Sequence, residues 1–168
     1  MATTSSSEAT TAGAIVTGLD ISTAAIETPV SSAGRLTYGV CDVSSRASTT
    51  AAVDRAVAEM GGLDVLIHVA GLQRYTPAEE ITDEEWDLVV GVNAKGTMIA
   101  NQAAFPHLKD RGGRIVNFAS AAGALGLRGC AHYAASKGAV LAWTRTIAQE
   151  WGRYGIAANA VAPGMWTP

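Results

Sequence analysis

The run Leu63-Asp-Val-Leu-Ile-His-Val69 is apolar at nearly every position rather than at alternate ones. A strand of that kind sits in a parallel sheet with helices over both faces, so this segment excludes most all-α and all-β arrangements. It stops at Ala70-Gly71, and four shorter apolar runs behave alike. Ala14-Ile-Val-Thr-Gly-Leu19 closes on Asp20, Leu36-Thr-Tyr-Gly-Val-Cys41 on Asp42, Arg114-Ile-Val-Asn-Phe-Ala119 on Ser120, and Ile156-Ala-Ala-Asn-Ala-Val161 just before Pro163-Gly164. Helical stretches lie between them. Residues 45–60 carry Val53, Val57 and Met60 on one face and stop at Gly61-Gly62. Thr82, with Glu85 three residues on, predicts a capping box and a helix running toward Ala103, interrupted by Gly91 and Gly96. The longest helix is predicted over 133–152, whereas 21–34, with Pro29 inside, reads as a weak and broken one. Alternating strands and helices imply a mostly parallel sheet with helices on both sides. Ligands bind such sheets beyond the carboxyl ends of the strands, where Asp20, Asp42, Ala70-Gly71, Ser120 and Pro163-Gly164 all fall.

Charge and composition narrow the partners. Twelve Lys and Arg against fifteen Asp and Glu give a net charge of -3 with no basic block, which argues against nucleic acid and against an anionic membrane surface. Cys41 and Cys130 suggest no disulfide framework, and His68, His107 and His132 fall at no metal-ligand spacing, so no metal site is expected. Residues 1–11 are rich in Ser and Thr and lack the charged start and apolar core of a signal peptide. No apolar run reaches membrane-spanning length. The expectation is a cytoplasmic protein with a flexible leader over 1–12 and a single domain over 13–168.

The chemistry concentrates in Ser120, Tyr133 and Lys137. Tyr133 and Lys137 are four residues apart, which places them one turn apart on one helix face. A neighbouring ammonium favours phenolate over phenol, equipping Tyr133 to give or take a proton at a carbonyl or alcohol oxygen. Ser120, at a strand end, is placed to hydrogen-bond the same oxygen. Taken singly, each residue has a plainer role: Ser120 as a strand-end cap, Asn93 as a helix-interior polar group bonded to backbone, Asp20 and Asp42 as caps of the segments after them. His68 reads as a structural histidine with its hydrogen bonds satisfied, and Trp143 and Trp151 as packing or subunit interface.

Together these residues resemble the short-chain dehydrogenase/reductase family. Its catalytic Tyr-x-x-x-Lys matches Tyr133 and Lys137, with Ser136 before the lysine, and its serine about thirteen residues upstream matches Ser120. Its active-site asparagine matches Asn93 in Val92-Asn-Ala-Lys-Gly-Thr97. The resemblance implies a three-layer Rossmann-like α/β fold and hydride transfer between an alcohol or carbonyl compound and a nicotinamide cofactor, with NAD preferred to NADP. It assigns Asp20 to the adenosine ribose, Asp42 and Val43 to the adenine, and Ala70, Gly71, Lys137, Pro163 and Gly164 to the cofactor's remaining contacts. Thr167 stands one position early for a carboxamide contact. It also implies a homodimer or homotetramer built on the long helix.

Departures cluster at the two ends. His68-Val69-Ala70-Gly71 replaces both asparagines of the family's Asn-Asn-Ala-Gly turn, which bears on stability rather than chemistry. Residues 13–20 fit the family's second strand, ending in the acidic Asp20. In a rival register they are its first strand, but Ser22 and Ala24 then replace required glycines. Either way no complete glycine-rich phosphate loop is present, and the match stops before the family's substrate lid. The partial fold therefore leaves three functional readings open. One is an NAD(H)-dependent oxidoreductase, another a catalytically silent homologue acting as an association partner, and the third a lyase or isomerase using the same tyrosine.

Overall fold

The computed structural model describes residues 13–22 and 34–164. The described strands are β1 (Ile15–Asp20), β2 (Arg35–Val40), β3 (Val65–His68), β4 (Gly113–Phe118) and β5 (Ile156–Val161). The helices are α1 (Arg46–Met60), α2 (Asp83–Val90), α3 (Gly96–Leu108), the single turn α4 (Ala122–Leu125) and α5 (Ala131–Trp151). Every strand pair is parallel, in two sheets ordered β1-β2 and β3-β4-β5. The result is the Rossmann-like α/β architecture that the alternating pattern implies. The leader over 1–12, most of the weak helix over 21–34, and Thr167 lie outside the described residues.

Local chemistry sets the helix ends. Ser45 Oγ accepts a hydrogen bond from Ser48 N at 3.3 Å to open α1. Gly61, at φ 80°, closes the helix in the left-handed conformation that only glycine adopts at little cost. Thr82 caps α2 by accepting from Glu85 N at 3.2 Å. The capping box is only half formed, because the Glu85 carboxylate accepts instead from Thr76 Oγ1 at 2.8 Å. The helix predicted to run on toward Ala103 is α2 and α3 joined through a π-helical turn, Gly91–Lys95, and it continues to Leu108. Inserted π turns of this kind recur at functional sites, and this one carries Asn93.

One face of the β3-β4-β5 sheet is well covered. Ile115 on β4 and Ile156 and Ala158 on β5 pack with Ala104 and Leu108 of α3 and Ile147 of α5. Leu66 and His68 share that face through their register with Ile115 and Asn117. The opposite face is open among the described residues, where Val65 and Ile67 are 48% and 57% exposed. The doubly covered strand expected at 63–69 is thus covered on one side, and the second helical layer is not found among the described residues. Within the same set, β1 bonds only β2 and β3 bonds only β4. A first strand would lie beside β3, so the pairing favours the register in which residues 13–20 are a second strand.

A buried polar network fastens α3, β4 and α5 together. Asn101 and Asn117, both fully buried, donate to each other's Oδ1 at 2.9 Å. Asn117 Nδ2 also donates to Thr144 Oγ1 at 3.0 Å, and Trp143 Nε1 donates to Asn101 Oδ1 at 2.9 Å. Trp151 stacks near Phe105, with ring centroids 4.7 Å apart, so both tryptophans pack as the sequence suggests. Replacing Thr144 by Val keeps the shape but leaves one Asn117 N–H unpaired. It should cost about 1–3 kcal/mol, read as a lower urea midpoint with an unchanged m value.

Candidate active site

The site forms where β4 gives way to α4 and α5 crosses above it. Ala119 N donates to Val161 O at 2.8 Å, which keeps the chain in step with β5 for one residue past β4. Ser120 follows, and its Oγ accepts from Ala122 N at 3.2 Å. Its capping role is therefore real, yet the hydroxyl proton stays available for donation. The α4 turn then lies directly on α5. A Cβ at Gly123 would come within 2.6 Å of Gly138 N and of the Lys137 carbonyl carbon, so only glycine allows this approach. The only trace of this contact in the sequence is a glycine on each side of the catalytic run.

On α5 the predicted one-turn spacing holds. Lys137 Nζ stands 5.9 Å from the centre of the Tyr133 ring. The ammonium is buried and donates to Phe118 O at 2.7 Å. Burial pushes its pKa below the usual lysine value, because desolvation disfavours the charged form. Tyr133 is half-buried. Its carbonyl accepts from Ser136 Oγ at 2.7 Å, and Ser136 Oγ in turn accepts from Asn93 Nδ2 at 2.9 Å.

Asn93 is fully buried, and its side chain is held on three sides. Oδ1 accepts from Leu72 N at 2.8 Å, and Nδ2 donates to Leu72 O at 2.9 Å as well as to Ser136. The π turn thereby grips the loop after β3. A Cβ on Gly71 would lie 3.1 Å from Asn93 Oδ1 and 3.3 Å from Lys137 Nζ, so the loop runs hard against both.

Gly71, Ser120, Tyr133, Lys137, Pro163 and Gly164 line one cleft of about 390 Å³. That volume suits a small ligand. Asn93 stands behind it, and Asp20, Asp42, Val43 and Ala70 are not among its lining residues. Asp20 Oδ1 accepts from Ser22 N at 3.1 Å at the end of β1. Asp42 Oδ1 accepts from Ser44 Oγ at 2.6 Å and Ser44 N at 2.9 Å, and these bonds hold its pKa below the usual carboxylate value. Val43 packs where α3 begins, 3.2 Å from the position a Gly96 Cβ would take. Among the described residues no three His, Cys, Asp or Glu side chains cluster to hold a metal, and no helix is long and apolar enough to cross a membrane.

Comparison with known proteins decides the family. The sequence profile described as short chain dehydrogenase matches residues 2–167. The chain belongs to this family. It is 44% identical over 138 residues to the short-chain reductase protein NovJ of Streptomyces niveus, covering 81% of this chain and 52% of that protein. It is 37% identical over 158 residues to the 3-oxoacyl-[acyl-carrier-protein] reductase FabG of Thermotoga maritima, covering 91% and 64%. A crystal structure of a short chain dehydrogenase from Mycobacterium smegmatis superimposes with a TM-score of 0.77 at 41% identity, covering 80% and 57%. The chain spans between about half and two-thirds of the length of these relatives.

His68 stands where the family's turn carries an asparagine. It is buried, with Nε2 lacking a hydrogen-bond partner. Desolvation, reinforced by the Lys137 charge, pulls its pKa down to about 4. The unfolded chain takes up this proton below about pH 6.5, the folded chain only near pH 4. Stability should therefore fall as pH drops through that window, by up to about 3 kcal/mol. Urea midpoints measured from pH 7 to 4 should show the slope, and His68→Asn should flatten it. At the α4–α5 contact, Gly123→Ala forces backbone apart and should cost about 1–3 kcal/mol. Gly152→Ala, with nothing within 4 Å, should leave Tm nearly unchanged.

Proposed function

We propose that this short-chain dehydrogenase interconverts an alcohol and a ketone or aldehyde, using NAD(H) in preference to NADP(H). The observation that carries the reading is the convergence of Ser120, Tyr133 and Lys137 on one cleft at the carboxyl ends of β3, β4 and β5. The lining fits a nicotinamide with a small substrate beside it. Gly71 and Gly164 keep side chains away from the flat ring, and Lys137 Nζ has donors to spare for a ribose hydroxyl after satisfying Phe118 O. Asp20 closes β1 with one carboxylate oxygen engaged by Ser22 N, and such an acid is suited to ribose hydroxyls and repels a 2′-phosphate. When bound, the nicotinamide supplies or accepts the hydride.

The side chains supply the rest. Ser120, whose Oγ already accepts from Ala122 N, points its proton toward the substrate oxygen and fixes it. Tyr133 takes the hydroxyl proton in oxidation and returns one to the carbonyl oxygen in reduction. Lys137 places a positive charge 5.9 Å from the centre of the Tyr133 ring. Asn93 holds the Gly71-Leu72 loop and, through Ser136, the first turn of α5, fixing the lysine's surroundings. The substrate is a modest, partly apolar molecule, since Val69, Leu72, Phe118 and Leu127 share the cleft. The working unit is a homodimer or homotetramer, in the cytoplasm.

A second reading, an association partner without catalysis, draws on one observation. β1 and β3 each leave one edge without a strand among the described residues, and β3 also carries the outward Val65 and Ile67. Calorimetric titration separates the two readings. The oxidoreductase should bind NADH in the micromolar range and NADPH more weakly, and Asp20→Asn should narrow the difference. Tyr133→Phe should keep that binding while slowing turnover by about 100-fold or more. No heat with either nucleotide at millimolar concentration would exclude the oxidoreductase and favour the association partner.

A further inference from the structure

The buried side of α5 includes a stripe at four-residue spacing, His132, Ser136, Val140 and Thr144, flanked by the buried Lys137 and Ile147. Its polar members each face a polar group on another element. Thr144 meets Asn117 of β4, and Ser136 meets Asn93 of the π turn. His132, fully buried, meets Glu85 of α2, with Nε2 3.5 Å from Oε1. Tyr133 and Lys137 occupy the adjacent face, each one residue beyond a stripe position. Rotation of the helix start that withdrew His132 would therefore turn Tyr133 out of the cleft.

Two further observations give His132 a special place in that stripe. The N-cap position of α5 is Cys130, which makes no side-chain capping bond, so the first turn lacks the usual device for fixing its entry. Neither ring nitrogen of His132 has a hydrogen-bond partner, although an unpaired buried imidazole carries a desolvation cost. The carboxylate at 3.5 Å is the group placed to relieve that cost. Glu85 is itself anchored, because Oε1 accepts from Thr76 Oγ1, and Thr76 N donates to Gly129 O at 2.9 Å beside the start of α5. Gln73 Nε2 also reaches Cys130 Sγ at 3.6 Å. The loop after β3, the start of α2 and the entry to α5 thus meet around one imidazole.

We infer that His132 is the positioning residue for Tyr133. The approach of its Nε2 to the Glu85 carboxylate, 3.5 Å away, sets the rotation of the first turn of α5 in place of an N-cap. The residue is not among those that line the cleft. The inference builds on the proposed oxidoreductase, but its test reads Tyr133 directly, so the two can fail separately.

The full chain labelled with ¹³Cζ-tyrosine gives four tyrosine signals, and Tyr133→Phe assigns the one of interest. In His132→Ala and Glu85→Ala the Tyr133 resonance should shift and broaden, while that of Tyr38 on β2 stays in place. His132→Gln, which keeps an N–H donor, should restore the wild-type resonance. In the hydride-transfer assay, the alanine variants should lose about 10- to 100-fold in kcat, as expected for a misplaced reacting group. Their KM and NADH affinity should change little, and His132→Gln should recover most of the rate. Glu85 is partly exposed, so Glu85→Ala provides folded protein if His132→Ala does not. An unmoved Tyr133 resonance in either folded alanine variant would overturn the inference. Absence of turnover in the wild-type protein would overturn the oxidoreductase reading instead, and the resonance would still decide this one.

Discussion

The cleft depends on the hydrogen bond from Lys137 Nζ to Phe118 O. A buried ammonium is costly unless its donors are used, so the lysine cannot drift without losing the carbonyl that compensates its desolvation. Phe118 is the last residue of β4, and that carbonyl lies two residues before Ser120. The same bond that makes the charge tolerable therefore fixes the distance between the residues on α5 and the serine beyond the strand. The packing of Gly123 on α5, where a Cβ would come within 2.6 Å of backbone, acts in the opposite sense. Helix and strand end are held between a bond that resists separation and a backbone contact that resists compression.

Asn93 extends this arrangement to the loop after β3. In a regular helix its neighbours' carbonyls would be committed to the next turn, but the π turn changes the local register and directs the carboxamide sideways. Both of its polar atoms then serve backbone at Leu72 and the hydroxyl of Ser136. Gly71 is thereby pressed toward Lys137, and the cleft acquires its third wall. A substitution that relaxed the π turn would alter the loop and the helix together, because one side chain holds both.

Much of this is legible in the sequence alone. Tyr133, Lys137 and Ser120 are readable because helix periodicity and strand termination are local properties, set by residues close together in the chain. The end of α1 at Gly61 and the cap at Thr82 are readable for the same reason. Contacts that depend on two distant segments are not. Nothing in the neighbourhood of Glu85 shows that its carboxylate turns to Thr76 and His132 rather than back to Thr82. Similarly, Gly123 and Gly138 look like ordinary helix-weakening glycines until α4 is laid on α5. Asn93 falls between the two cases, identifiable by its motif, yet its three partners come from a π turn that no residue pattern announces.

The open face of β3 reflects the same distinction between local and distant information. The run 63–69 is apolar on both sides because it is suited to burial on both sides, and that preference is a property of the sequence regardless of what covers it. Among the described residues only the Leu66 and His68 side is covered. The exposed Val65 and Ile67 therefore mark surface that favours burial, and the edge of β3 without a strand partner among the described residues offers backbone groups for pairing. The cleft itself is lined by the loop after β3, the end of β4 with Ser120, Leu127, Tyr133 and Lys137 of α5, and Pro163-Gly164. Val69, next in the alternation after Val65 and Ile67, lines the cleft, so the exposed apolar side of β3 runs on to the mouth of the site.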